Sequence, residues 1–355
     1  MNTIALKNNP PNDKTLISLF AGCGGSSLGY KAIGFDIRLA VEWDKGAASI
    51  YRDNFPATTL YEGDINKLDV SEALHLTELR QGELDILDGS PPCQGFSTAG
   101  KREIGDSRNQ LFNEYIRMLQ GLQPKVFVME NVGGLIKGKM KIMFSEMTRA
   151  LQDSGYKVAC RKLNAWWYGV PQSRERLIWI GIRNDIEGEP SHPQPMLRRP
   201  VSVRQALSLM LGETMKNEDF MNKWQSNDRP APTLTKSMPP VLLLNTAPKL
   251  AHNDWNTTAR TLRAAVIPRI SIAPNDTIQP SPTLIGQQPP VILIDTKVEG
   301  EVIRPITIEE AKILQSFPTW FRIQQYKYIG NSVPPLMAQA IGEHVAGILD
   351  GANAD

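Results

Sequence analysis

Cys93 lies in the segment Asp88-Gly-Ser-Pro-Pro-Cys-Gln-Gly-Phe-Ser97, after a short run, Leu84–Leu87, that reads as a buried strand. A thiol at a strand's carboxyl end, on a rigid Pro-Pro turn, is placed to act as a nucleophile, which cysteine does as its thiolate. Glu130 ends a second apolar run, Val126-Phe-Val-Met129. A carboxyl desolvated there has reason to keep its proton near neutral pH and to donate it. Gln172-Ser-Arg174-Glu-Arg176 precedes a third apolar run, and its guanidinium groups suit a carbonyl or a phosphate.

A second group of residues points to a bound ligand. Phe20-Ala-Gly-Cys-Gly-Gly25 follows the first apolar run and opens a helix near Ser26. Gly22, Gly24 and Gly25 let a ligand approach the backbone at a helix N-terminus. The spacing is Gly-x-Gly-Gly, so the dinucleotide fingerprint is not met. Glu42, about twenty residues on, is placed to hold ribose hydroxyls. Trp43 is a stacking surface for an adenine, and Gly63-Asp64-Ile65 offers a second acid for its exocyclic amine. Together these features predict an adenosine-bearing cofactor with no pyrophosphate requirement. With Cys93, Glu130 and the arginines they form the equipment for activating an electron-poor pyrimidine. Thiolate addition to C6 makes C5 carbanion-like, a Glu at N3 stabilises the product, and C5 attacks a sulfonium methyl.

The elements that must position these groups alternate strand-like and helix-like, the signature of an α/β, mostly parallel, doubly wound sheet. Strands are predicted at Leu16–Phe20, Ile37–Glu42, Leu84–Leu87, Val126–Met129 and Leu177–Ile182, and helices at Lys45–Phe55 and Asn109–Leu122. The 355 residues are 41% hydrophobic and 21% charged, with net charge +2, so a nucleic-acid surface must be a local patch. No apolar stretch approaches the roughly 18–20 residues that span a bilayer, and Met1–Lys14 lacks a signal-peptide core. Cys23, Cys93 and Cys160 fit neither a disulfide framework nor a zinc site, which predicts a reducing, cytoplasmic setting and no metal.

Past Arg183 the texture changes: residues 185–305 hold 16 of the 26 prolines, marking a second, smaller, loop-rich domain. The expected division is 1–183 plus 320–355 for the cofactor and catalytic domain, and 184–319 for the other. Within it, Ala231–Thr246 realigns with Ser281–Thr296 fifty residues later, predicting two similar strand-turn-strand units side by side. Residues 229–275 carry six bases, Arg260 and Arg263 among them, against Asp254 alone. Such a segment suits phosphate contacts and groove readout. A helix over Ile308–Ser316 and a loop with a closing helix over Tyr328–Ile348 return the chain to the sheet.

In order and spacing these motifs resemble the cytosine-C5 DNA methyltransferase family, of the bacterial and phage restriction-modification type. The resemblance runs through Ser18–Tyr30, Glu42-Trp43, Gly63-Asp64-Ile65, Ser90–Ser97, Glu130–Val132, Gln172–Arg176, Arg304–Pro318 and Gly330–Pro335, covering about residues 15–182 and 303–345. One departure is Ser18, where many members have Asp. The resemblance implies a Rossmann-like class I methyltransferase fold with a target-recognition domain between the two matched parts. It implies Cys93 as nucleophile, Glu130 as the N3 partner, and Arg176 holding the cytosine O2 with Arg174 nearby.

S-adenosylmethionine, released as S-adenosylhomocysteine, would lie among Phe20, Gly22, Gly24, Gly25, Glu42, Trp43, Asp64, Ile65, Pro91, Leu111, Asn331 and Ser332. The substrate implied is a sequence-specific site in double-stranded DNA. A stacked cytosine cannot reach Cys93, so it must be flipped out, and Gln94–Arg108 is the expected lid. DNA contacts are expected from Gln94, Ser97, Lys101, Arg102, Arg108, Thr235, Arg260, Arg263 and Thr283. The chain is expected to be monomeric, bound to DNA in the bacterial nucleoid, with any cognate restriction endonuclease acting independently. An RNA cytosine methyltransferase on the same scaffold and a catalytically inactive DNA-binding regulator are the alternatives.

Overall fold

A computed structural model describes residues 5–92, 110–138, 140–197, 201, 206 and 307–352, and the backbone of 231–232, 242–244, 291–294 and 302–305. Cys93, the lid Gln94–Arg108, Arg260, Arg263, Thr235 and Thr283 lie outside the described residues.

Seven strands form one sheet: β1 (Thr15–Leu19), β2 (Asp36–Glu42), β3 (Thr59–Glu62), β4 (Ile86–Gly89), β5 (Val126–Val132), β6 (Tyr156–Asn164) and β8 (Glu175–Arg183), in the order β3-β2-β1-β4-β5-β8-β6. Two-residue β7 (Gln172–Ser173) lies apart and pairs with β9 (Ala231–Pro232). The first five strands of that order run parallel, and β8 pairs antiparallel with both β5 and β6. Parallel strands covered on both faces read as continuous apolar runs, which is why β1 and β5 stand out in the sequence.

Alternate side chains divide between the two faces. Leu16, Ile86, Val126, Ile178 and Ile180 meet helices α1 (Gly25–Ala32) and α8 (Pro335–Ala352). Ile17, Leu87, Phe127, Leu177 and Trp179 meet α3 (Val70–Thr77), α4 (Gln110–Leu122) and α5 (Met140–Asp153) on the other. The approach of α1 to α8 depends on Gly29. A Cβ there would stand 2.4 Å from the Pro335 carbonyl oxygen and 2.6 Å from the Gln339 nitrogen.

β3 and β6 were not predicted. β3 is four residues long with no buried position, and β6 is an edge strand whose Arg161 and Lys162 interrupt the alternation. Charged residues on an edge oppose pairing with another chain, and they also hide the strand in the sequence. Where helices were expected, α2 spans Lys45–Asn54, α6 spans Ile308–Leu314 and α7 spans Tyr326–Asn331.

Residues on both sides of the expected domain division pack on the sheet body. Ala311, Leu314 and Phe317 share a core cluster with Tyr51 and Phe55 of the α2 region. Buried His192 hydrogen-bonds the Ile178 carbonyl at 2.8 Å. Of the duplicated segments, the backbone of β10 (Leu242–Leu244) pairs parallel with β11 (Val291–Ile294), Leu242 opposite Ile292. That register sets each residue beside its own counterpart fifty positions on.

Candidate active site

The chain reverses its direction of travel across the sheet between β1 and β4, and ligands of open α/β sheets bind at such a switch point, outside the strands' carboxyl ends. The loop after β1 is shaped by backbone that side chains normally avoid. Phe20 has φ +56°, Gly22 +58° and Gly24 +92°. A Cβ on Gly22 would meet nothing within 4 Å, whereas one on Gly24 would stand 2.4 Å from the Phe55 ring. Gly22 thus borders open space, and Gly24 packs against the protein.

Glu42, at the tip of β2, locks this turn. Its Oε2 accepts from the Gly22 N–H at 2.7 Å, and its Oε1 accepts from the Trp43 and Asp44 N–H groups at 3.0 and 2.8 Å. Burial pushes the Glu42 carboxyl up, against the N–H donors that hold it down. Beside it the Trp43 ring is 75% exposed, an apolar surface left open at a strand tip. Asp64 caps the turn Ile65–Lys67. The backbone N–H and side-chain amide of Asn66 donate to its Oδ1 at 3.0 and 2.6 Å and hold its carboxyl below the usual range. Ile65 is buried in the core, while Leu111 is half-buried in the first turn of α4.

This set fits an adenosine-bearing ligand: a carboxylate for ribose, an open aromatic face, a second acid and a glycine bordering free space. The C-terminal motif closes it from one side. Asn331, exposed, ends α7, and the Ser332 hydroxyl lies 2.9 Å from the Cys23 thiol. Asp44 ties the same segment down, accepting from the Tyr328 hydroxyl at 2.9 Å while it caps α2 through Gly46 and Ala47.

The second half of the site lies at the ends of β4, β5 and β8. Buried Pro91, two residues before Cys93, accepts through its carbonyl from the Asn131 amide at 3.1 Å. That bond holds the segment entering Cys93 beside the tip of β5. Glu130 pairs with Arg176 across the antiparallel β5–β8 ladder, Nε to Oε1 at 2.7 Å, with side chains 13% and 14% exposed. The expectation of a Glu130 desolvated alone therefore meets an ion pair.

Arg174 points elsewhere: it is 1% exposed and donates to the Gly330 carbonyl at 2.9 Å, bracing the Gly330–Ser332 segment. Burial, with Arg176 beside it, pushes its guanidinium well below the ordinary value. Gln172 joins the same brace, donating to Gln315 Oε1 at 2.6 Å, while Gln315 donates to the Ser332 carbonyl at 2.7 Å.

Four of these residues had no role assigned from the sequence: Asn131, Gln172, Gln315 and Asp88. Asp88 carried a signal, an acid ending the apolar strand β4. The partners of the others lie 17 to 143 residues away, beyond the reach of local pattern. Among the described residues no cluster of metal-ligating side chains occurs, and no helix is long and apolar enough to cross a membrane.

Comparison with known proteins agrees with this geometry. Residues 14–347 match the family model described as C-5 cytosine-specific DNA methylase. The Type II methyltransferase M.XorII of Xanthomonas oryzae pv. oryzae is 33% identical, over 93% of this chain and 84% of its own. M1.HphI of Haemophilus parahaemolyticus is 34% identical, over 93% and 86%. The crystal structure of S. pombe Dnmt2 methyltransferase shares the fold with a TM-score of 0.59 at 17% identity, over 96% of this chain and 99% of that one. The chain belongs to the C-5 cytosine-specific DNA methylase family and is a DNA cytosine-C5 methyltransferase.

Proposed function

We propose that this enzyme methylates C5 of a cytosine flipped out of a specific duplex site, through a covalent bond between the Cys93 sulfur and C6. The observation that supports this reading is the Pro91–Asn131 hydrogen bond, which ties Pro91, two residues before Cys93 in the sequence, to the residue that follows Glu130. Thiol chemistry favours the same residue. Burial pushes Cys23 and Cys160 up to about 12, leaving almost no thiolate on either near neutrality.

Glu130 and Arg176 form a ready-made clamp for the edge of a pyrimidine. The exocyclic O2 on C2 and the ring atom N3 lie side by side on the pyrimidine edge, and the two side chains already stand 2.7 Å apart. An entering cytosine exchanges their mutual bond for Arg176 on O2 and Glu130 on N3, and the Glu130 carboxylate takes up a proton from solvent as the ion pair opens, so that it can donate to N3. Charge that thiolate addition pushes into the ring is then met at both atoms, the electrostatic stabilisation expected of prearranged donors. S-adenosylmethionine, held by Glu42, Trp43 and Asp64 over the Gly22 turn, would supply an electrophilic methyl group. Loss of the C5 proton and expulsion of the Cys93 thiolate restore the aromatic ring.

Arg174 is a brace in this account and Arg176 the base contact. We put the target-recognition domain between about residues 198 and 306; the burial of His192, Ala311, Leu314 and Phe317 against the sheet body supports this. Gln94, Ser97, Lys101, Arg102, Arg108, Thr235, Arg260, Arg263 and Thr283 are proposed DNA contacts. Bisulfite sequencing of DNA from cells expressing the natural chain or Cys93→Ser tests the reading. Site-specific protection of cytosine, lost in the variant, is expected; protection that survives Cys93→Ser would sink the mechanism.

A further inference from the structure

Ser18 and Asp88 are register partners on the adjacent parallel strands β1 and β4. Position 18, where the resemblance implies an acid, holds a serine, and an acid stands directly across the ladder. Asp88 is 4% exposed, and its carboxylate gathers three hydroxyls. Oδ2 accepts from Ser26 at 2.8 Å and from Ser18 at 3.2 Å, and Oδ1 accepts from Tyr30 at 3.2 Å. Ser26 and Tyr30 lie one turn apart on α1, the helix that the Gly-rich turn opens into. One buried side chain therefore ties β1, β4 and the cofactor-side helix together.

We propose that Asp88 has taken over from position 18 as the buried negative charge of the cofactor site, positioning the Gly-rich turn and favouring a cationic sulfonium nucleoside over its neutral product. No cation is paired with Asp88 among the described residues. Its hydroxyl partners are neutral, and among the described residues the titratable groups coupled to its charge are Tyr30, Tyr51, Tyr115 and Glu130. None of these neutralises it, so its field is open to a cation at the strand ends. Burial raises its carboxyl to about 6, which leaves it ionised at pH 8. S-adenosylmethionine carries a net positive charge and S-adenosylhomocysteine does not, and their shapes are otherwise nearly the same. A residue that merely holds the fold supports both ligands alike, whereas a charge separates them.

This inference rests on S-adenosylmethionine being the donor. Calorimetric titration of the full chain at pH 8 with each nucleoside tests both. In Asp88→Asn, S-adenosylmethionine is expected to bind about tenfold more weakly and S-adenosylhomocysteine less than about twofold more weakly. The exchange Ser18→Asp with Asp88→Ser, returning the carboxylate to β1, is expected to recover most of the preference. Equal weakening of both ligands, or no change for either, overturns the charge role. If Asp88→Asn has no thermal melting transition, the exchange variant decides: folded without the preference, it overturns the inference. A natural chain that binds neither nucleoside contradicts the donor assignment itself, a different outcome from any of these.

Discussion

Replacing Glu42 by Gln isolates the bond that shapes the cofactor turn. The natural carboxylate serves three N–H donors from its two oxygens, Gly22 on one and Trp43 with Asp44 on the other. An amide has only one acceptor atom. If its oxygen stays with Trp43 and Asp44, its NH2 faces the Gly22 N–H, which was 2.7 Å from the carboxylate, and two donors confront each other. Leaving one such buried group unsatisfied costs about 1–3 kcal/mol. Removing a carboxylate whose burial is unfavourable returns part of that to the ligand-free protein. The remaining loss should fall on the turn and on ligands that use it, through Gly22 and the ribose contact together. Affinity for S-adenosylmethionine, measured by calorimetry, is expected to fall by about tenfold or more. The ligand-free melting temperature should drop by only a few degrees, as about 1 kcal/mol would give. An unchanged dissociation constant would refute the reasoning, because the turn would then hold its shape without Glu42.

Two further outcomes follow from ionisation and burial. Because burial raises Asp88 from 3.8 to about 6, the stability linked to its protonated form is complete below about pH 4 and is lost as pH rises through about 6, up to about 3 kcal/mol in all. Denaturant unfolding should show Asp88→Asn gaining on the natural chain across that window, and parallel stability curves would contradict it. Brief iodoacetamide treatment of the folded chain near neutral pH should label Cys93 alone by peptide mass, since Cys23 and Cys160 are held near 12. Labelling of Cys23 at a comparable rate would show its burial against Ser332 to be wrong.

Much of the site could be read from residue order because each chemical group ends an apolar strand. Glu42, Glu130 and the Gly22–Gly25 turn stand where the sheet sets them, and β1, β2 and β5 announce themselves by burial on both faces. What could not be read depends on pairs distant in the chain. The ion pair of Glu130 with Arg176 needs the antiparallel register of β5 and β8, which no local pattern encodes. The inward course of Arg174 has the same origin: the Gly330 carbonyl that receives it lies 156 residues away. The partner of Ser18 becomes visible only when β4 is set beside β1. Its partner Asp88 is 70 residues on, so the exchange of acid and hydroxyl is visible only across the ladder. The division of domains was drawn from proline content, which carries no information on how His192 and Phe317 pack on the sheet body.

Covalent capture tests the central claim most directly. A pool of random duplexes containing 5-fluorocytosine in place of cytosine is incubated with the enzyme and S-adenosylmethionine. Fluorine at C5 cannot leave as a proton does, so the cysteine adduct cannot expel its thiolate. A denaturation-resistant complex is expected, with the nucleotide mapped to the Cys93 peptide and no complex formed by Cys93→Ser. An enzyme that methylates ordinary duplex DNA yet traps no adduct, or traps it on another residue, would contradict the account.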